Sequence, residues 1–381
     1  MKKGWQTKNL GEVIKLLSGQ HIEAKDYNTE SRGIGYLTGP SDFGLISPII
    51  TKWTEFPKVK ATSGDVLITV KGSGVGKINL LNIPEVAISR QLMAIRITGA
   101  DPRFIYAFLG SSFDHFQSES TGAAIPGISR EQVLGLKIAV PPLPEQQRIV
   151  GILDAAFEGL ATAKANAEKN LHNARALFAS HLQAVFSQRS LSGVEGRGKG
   201  WVEITVDQIS TNLDSKRVPI TKNVRASGKY PYYGASGIVD YVADYIFDGD
   251  TLLVSEDGAN LLARSTPIAF SVSGKYWVNN HAHILKFETI ATQRFVEFYL
   301  GSIKLDEYIT GAAQPKLNQK ALNSIPIPIP KTVETQAKIV ESLESLQAET
   351  QRLAAIYQQK LAALEALKKS LLHQAFSGEL R

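Results

Sequence analysis

Cysteine is absent from the 381-residue chain, and methionine and tryptophan are scarce, at two and four residues. Without a thiol there is no thiolate nucleophile, no disulfide framework and no Cys-ligated zinc or iron–sulfur site, so a reducing compartment is permitted. Nowhere do about 18 uncharged apolar residues run together. The opening Met1-Lys-Lys-Gly-Trp5 stretch has two lysines but leads into no continuous apolar segment, so the expectation is a soluble, cytoplasmic protein. A heavy excess of one charge is missing too. Forty-two Lys+Arg against 36 Asp+Glu leave +6, with a pI near 9.2, which favours polyanionic partners but excludes a nonspecific DNA coat. The 43% hydrophobic content is enough for two or three folding units, each with its own core.

What the chain does have is a repeat. Gly4-Trp5 recurs at Gly200-Trp201, and Gly64-Asp65 with Val66-Leu67-Ile68 recurs at Gly249-Asp250 with Thr251-Leu252-Leu253. Thr121-Gly-Ala-Ala124 returns as Thr310-Gly-Ala-Ala313, and Ile149-Val150 as Ile339-Val340. The order is kept and the offset stays near ~190 residues, as in two diverged copies with loop insertions; that period is too long for a solenoid. Residues 1–140 and 200–330 are rich in short β-type runs, such as Asp65-Val-Leu-Ile-Thr-Val70, punctuated by Gly, Pro, Asn and Ser.

After Pro141-Pro142 and after Pro328-Ile-Pro330 the texture changes to long Ala/Leu/Glu/Gln/Lys stretches that favour helix. Apolar or small residues from Ile149 to Phe178, and from Ile339 to Leu371, keep heptad spacing with few interruptions. About 40 residues make a helix roughly 60 Å long. A lone one would expose its seam, so the two are expected to pack antiparallel as a coiled coil; a homodimeric coiled coil is the alternative. The expected fold is therefore α+β: two mostly β domains, at 1–140 and 200–330, separated by helical segments at 141–188 and 331–381. A Gly/Ser-rich linker is assigned to 189–199.

The string Pro141-Pro-Leu-Pro-Glu-Gln-Gln-Arg-Ile-Val150, opening a long helix that ends near Leu182-Gln-Ala-Val-Phe186, resembles the specificity subunits of type I restriction–modification systems. Its second instance runs from Val333-Glu-Thr-Gln-Ala-Lys-Ile-Val340 to Leu372-His-Gln-Ala-Phe-Ser-Gly-Glu-Leu380, with Thr335-Gln336 where the first copy has Glu145-Gln146. The resemblance spans the chain. It implies a non-catalytic DNA reader with two target recognition domains, one for each half of an asymmetric bipartite site, and helices acting as a spacer. It also implies methyltransferase subunits, two of them, and restriction subunits as partners, with S-adenosylmethionine, ATP and Mg on those partners and no cofactor on this chain.

Several motifs invite other chemistry. Lys71-Gly-Ser-Gly-Val-Gly-Lys77 lacks phosphate-loop spacing, because Lys71 stands five before Gly76 and Ile78 follows Lys77. The next residues look like strand rather than a phosphate-holding helix. A strand-to-strand turn is expected, with Lys71, Ser73 and Lys77 available to DNA. His281-Ala-His283 could begin a metal site, but no third ligand is evident, so hydrogen-bonded packing or DNA contact is expected and no metal. Glu256-Asp257 with Asp240, Asp244, Asp248 and Asp250 suggests nuclease carboxylates, yet no Glu-x-Lys partner stands nearby, nor an Asn-Pro-Pro-aromatic or Asp-Pro-Pro-aromatic segment. No catalytic residue is assigned.

Candidate base readers are side chains able to make paired hydrogen bonds to base edges. Ser89-Arg90-Gln91 and Asn279-Asn280-His281 stand at similar distances after each Gly-Asp turn and are expected to be corresponding loops. Tyr230, Tyr232, Tyr233, Ser236, Gln314 and Lys316 complete the DNA-contact set. Glu145, Gln146, Ile149, Ile339 and Leu343 are the candidates for partner contact on the helices. Residues 1–140 hold 16 Lys+Arg and 12 Asp+Glu, net +4, whereas residues 200–330 hold 12 and 13, net −1. The second lobe would therefore rely on a local polar face or on partners. Two half-sites about one duplex turn apart, ~34 Å, would fit such a reader. The competing reading is a coiled-coil interaction scaffold without sequence-specific DNA binding; a self-sufficient enzyme is a third class.

Overall fold

A computed structural model describes residues 4–44, 47–121, 126–187, 200–311 and 313–381. The linker assigned to 189–199 lies outside them, as do Gly122, Ala123, Ala124 and Ala312 of the repeat. The chain divides into two compact units, 1–168 with 359–381, and 169–358.

The first unit holds strands β1 (Gln6–Asn9), β2 (Ile14–Ser18), β3 (Ile34–Leu37), β4 (Trp53–Thr54), β5 (Lys60–Thr62), β6 (Val66–Thr69), β7 (Ile78–Leu80), β8 (Glu85–Ile88), β9 (Leu92–Ile97) and β10 (Lys137–Val140). Its short helices are α1 (Pro102–Ser111), α2 (Phe113–Glu119) and α3 (Arg130–Leu134), followed by the long α4 (Leu143–Ser187). Two four-stranded sheets form, in the orders β2-β9-β6-β7 and β4-β3-β8-β5, and β1 pairs with β10.

Strict alternation explains why β6 and β9 are apolar at almost every position. Val66 and Ile68, with Met93 and Ile95, face the helices, whereas Leu67, Leu92 and Ala94 face the second sheet. The central strands are thus buried on both sides.

The second unit repeats this plan. It contains β11 (Trp201–Thr205), α5 (Val206–Ile209), β12 (Thr211–Asn212), β13 (Ser227–Gly234), β14 (Gly237–Val242), β15 (Phe247–Asp248), β16 (Thr251–Ser255), α6 (Asn260–Ala263), β17 (Ala269–Val272), β18 (Lys275–Val278), β19 (Ala282–Lys286), α7 (Ile290–Ser302), α8 (Gln319–Asn323), β20 (Pro326–Pro330) and the long α9 (Val333–Ser377). Its sheets have the orders β12-β19-β16-β17 and β14-β13-β18-β15, with β11 paired to β20. Among the described residues, each unit has one parallel pair, β3–β8 or β13–β18, in an otherwise antiparallel set.

Both long helices contribute to both units. In the first, Lys164 pairs with Glu365 at 2.9 Å, while Arg148 donates to the Leu380 carbonyl at 3.0 Å. Numbering rises along α4 as it falls along α9, so the segments run antiparallel, and Ile149, Leu153, Leu372 and Ala375 share the lobe's core. In the second unit Leu182 and Phe186 share a core with Val340 and Leu343, and Phe178 packs on Phe298.

Each long helix is locked to its own lobe by a buried glutamine at its start. Gln146 accepts from the Asp101 amide at 2.7 Å and donates to the Pro141 carbonyl at 2.8 Å. Gln336 accepts from the Thr292 hydroxyl at 2.7 Å and donates to Pro330 at 2.8 Å.

Candidate nucleic-acid interface

The ladders align the two lobes residue by residue. Thr69 pairs with Leu92 as Ser255 pairs with Ala282. The Ser89 amide donates to Leu37 and the Asn279 amide to Tyr233, at 2.9 and 3.0 Å. Val70 donates to Gln91 as Glu256 donates to His281, at 2.8 and 2.9 Å; Gly72 donates to Pro126 as Gly258 donates to Pro315. Both glycines have positive φ, +91° and +105°, which a side chain would strain. Ser89-Arg90-Gln91 and Asn279-Asn280-His281 are therefore corresponding turns, each next to a second turn that starts at Lys71 or at Asp257.

Within these turns the candidates separate into anchors and exposed groups. Ser89 and Asn279 are buried, and each side chain accepts the amide two residues on: Ser89 Oγ from Gln91 at 3.3 Å, Asn279 Oδ1 from His281 at 2.8 Å. They hold the turns rather than reach a base, which corrects their assignment as readers. Arg90, Gln91, Asn280 and His281 are exposed. Lys71, Ser73 and Lys77 are exposed on the β6–β7 turn, which runs from strand to strand with no helix after it.

In the second lobe Tyr232 is buried and its hydroxyl accepts from the Ile220 amide at 3.1 Å, just as Tyr36 accepts from Ile22 at 3.1 Å. Tyr232 is thus a framework residue and not a DNA contact. Half-buried Tyr230 packs at a tilt on Tyr245 and half-buried Tyr233 edge-to-face on Tyr276; Ser236, Gln314 and Lys316 are exposed. On the helices, Gln146, Ile149 and Leu343 are buried in their own units and so cannot present themselves to a partner; Ile339 and Glu145 are half-buried.

The two histidines of His281-Ala-His283 do not converge. Exposed His281 places Nδ1 2.8 Å from the Asp257 carboxylate. His283 is 1% exposed, with Nδ1 2.5 Å from Asp214 and Nε2 2.8 Å from the Leu317 carbonyl. Asp214, Glu256 and His283 form the one carboxylate–imidazole cluster tight enough for a metal among the described residues. Its centre already has a cation: Arg217 Nη1 is 2.6 Å from Glu256, and Lys316 Nζ is 3.2 Å from the same carboxylate. The cluster is an ion-paired core, and both ring nitrogens of His283 are engaged.

Burial pushes the Asp214 carboxyl up, but the hydrogen bond and charge of His283, the Ile284 amide and Arg217 together take it below its ordinary value. Glu256 is likewise held low, burial being outweighed by Arg217, His283 and Lys316. The nuclease-like carboxylates are dispersed: Asp257 faces His281, and Asp240 pairs with Arg225 at 3.1 Å. Sequence reading missed Arg217 and the part Asp214 plays, because 69 residues separate Asp214 from His283 and no local pattern joins them.

Two lobes built on one frame, each carrying turns of exposed polar side chains and each sharing its core with segments of both long helices, match a described family. A model for the type I restriction modification DNA specificity domain matches residues 2–170 and again 198–365, and the chain belongs to that family. It is 34% identical over 165 residues to a putative type I restriction enzyme specificity subunit of Haemophilus influenzae, an alignment covering 43% of this chain and 41% of that protein. The chain thus spans well under half of that relative. With the type I restriction enzyme EcoDI specificity subunit of Escherichia coli it shares 22% identity over 99% of this chain and 88% of that one. Among solved structures, the HsdS subunit from Thermoanaerobacter tengcongensis matches with TM-score 0.63 over 100% of this chain and 98% of that chain. A chain from a study of complex assembly and conformational transition of the type I R-M system matches with TM-score 0.78, over 100% and 99%. Both are 19% identical and show the fold alone. No described helix is long and apolar enough to cross a membrane.

Proposed function

We propose that this chain is the sequence-reading subunit of a type I restriction–modification complex, itself non-catalytic, with each lobe reading one half of an asymmetric bipartite DNA site. One observation carries the reading: the family domain occurs twice on the same strand order, and the corresponding turns carry different exposed side chains, Arg90-Gln91 in one lobe and Asn280-His281 in the other. A constant frame with changed tips can read two different sequences. Methyltransferase and restriction subunits would be the partners. S-adenosylmethionine, ATP and Mg would be theirs, and the reading takes the complex to be cytoplasmic.

The test is methylome sequencing of cells that express the chain with its cognate methyltransferase subunit. A single modified bipartite motif, absent when this chain is deleted, is the expected result. An interaction scaffold would yield no motif, and its binding would show no sequence preference at any salt concentration.

A further inference from the structure

The two corresponding turns differ in a way that points to particular bases. Both are held by the same backbone bonds and by a buried hydroxyl or amide anchor, so their tips are pre-positioned, which lowers the ordering cost of binding. In the first lobe Arg90 has no hydrogen bond or ion pair among the described residues, and its guanidinium is exposed. The neighbouring Gln91 carboxamide lies over Gly39, where an added Cβ would stand 2.3 Å from Oε1. In the second lobe Asn280 is exposed, with no side-chain bond among the described residues, and His281 is held through Nδ1 by Asp257.

We infer that the turn after β8 and the turn after β18 are the base-reading positions of the two lobes, with Arg90 reading a guanine in one half-site and Asn280 an adenine in the other. The inference rests on the proposed function and goes further by naming the residues and bases. A guanidinium fork matches the two acceptors of guanine, N7 and O6, in the major groove; a carboxamide matches the acceptor and donor of adenine, N7 and N6. Gln91 and His281 stand beside them as second contacts. Asp257 acts through His281 and is a positioning residue. Ser89 and Asn279 position the turns in the same sense.

The experiment is methylome sequencing with the full chain and its methyltransferase partner, comparing the parent with Arg90→Ala and Asn280→Ala. Arg90→Ala should relax a guanine in one half of the motif, and Asn280→Ala an adenine in the other, each losing roughly 5- to 150-fold in discrimination at that position. Arg90→Lys keeps the charge but not the fork and should relax the same guanine, which decides the matter should the alanine variant melt early. Gly39→Ala, which displaces only the flexible end of Gln91, should alter the same half as Arg90→Ala. Variants that leave both halves unchanged, or one variant that alters both halves, would overturn the inference. A parent that yields no bipartite motif defeats the proposed function itself.

Discussion

At the same corner of the two lobes the chain solves one packing problem in two ways. The register that equates Thr69 with Ser255 places Met93 opposite His283, Val70 opposite Glu256 and Ser18 opposite Asp214. The first lobe fills the corner with apolar groups, and Arg130 donates to the Ser18 hydroxyl at 2.6 Å from outside. The second builds a buried ionic network of Asp214, His283, Glu256 and Arg217. Each corner lies directly under the turns that carry the proposed readers. The first presents Lys71 and Arg90 with no ion pair among the described residues, while the second pairs Asp257 with His281 and Glu256 with Lys316. The turns differ in charge in the same direction as the two lobe sequences, whose totals are +4 and −1.

Breaking the network tests that comparison most severely. Asp214→Ala takes the carboxylate from His283 Nδ1 and from the Ile284 amide, leaves Arg217 to Glu256 alone, and should cost the second unit about 3–5 kcal/mol, because a buried pair loses one partner. Met93→Leu, at the first-lobe place that matches His283, should cost under about 1.5 kcal/mol. Hydrogen exchange followed separately in the two units measures both.

Acid should separate the lobes in the same direction. The Asp214 and Glu256 carboxyls are held below their ordinary values in the folded state, so their contribution is full above the unfolded value, near ~4, and disappears as pH falls through the lowered folded values. Protease susceptibility between about pH 5 and pH 2 should rise first in the second unit; a first unit that opens earlier would contradict the comparison.

A smaller and symmetric effect is expected at the helix starts. Gln146→Ala and Gln336→Ala each remove two buried hydrogen bonds and should each destabilise their own unit by about 1–3 kcal/mol, to similar extents in thermal melts. Least of all, Lys164→Ala removes an ion pair exposed on both sides and should leave the melting temperature unchanged.

Much of this architecture was legible in the residues. Gly-Asp turns, β-type runs and the Pro-flanked helical stretches mark the repeat; heptad spacing marks the seams, and the need to cover them points to the antiparallel pairing found within each unit. The equivalence of Ser89 and Asn279 followed from their distance after those turns. Long-range pairings were not legible. The Gly-Asp repeat aligns Asp65 with Asp250, but the ladders match it to Thr251, one residue on: Val66 pairs with Ile95 as Leu252 pairs with Leu285. Both Asp65 and Thr251 are buried, so burial, and not residue identity, is what the frame keeps. In the candidate site, Ser89, Tyr232 and Asn279 looked like readers because their groups can hydrogen-bond. Only three-dimensional burial reveals that those bonds go to the backbone. The ionic corner was hidden because its members come from three separate segments, at 214–217, 256 and 283.

The central claim is that each lobe reads one half of a divided site independently. Residues 200–330 are replaced by the corresponding lobe of another specificity subunit, and the modified motif is sequenced in cells expressing the hybrid with its methyltransferase. The account predicts that one half of the motif changes while the other half stays as in the parent; a motif altered in both halves would contradict it.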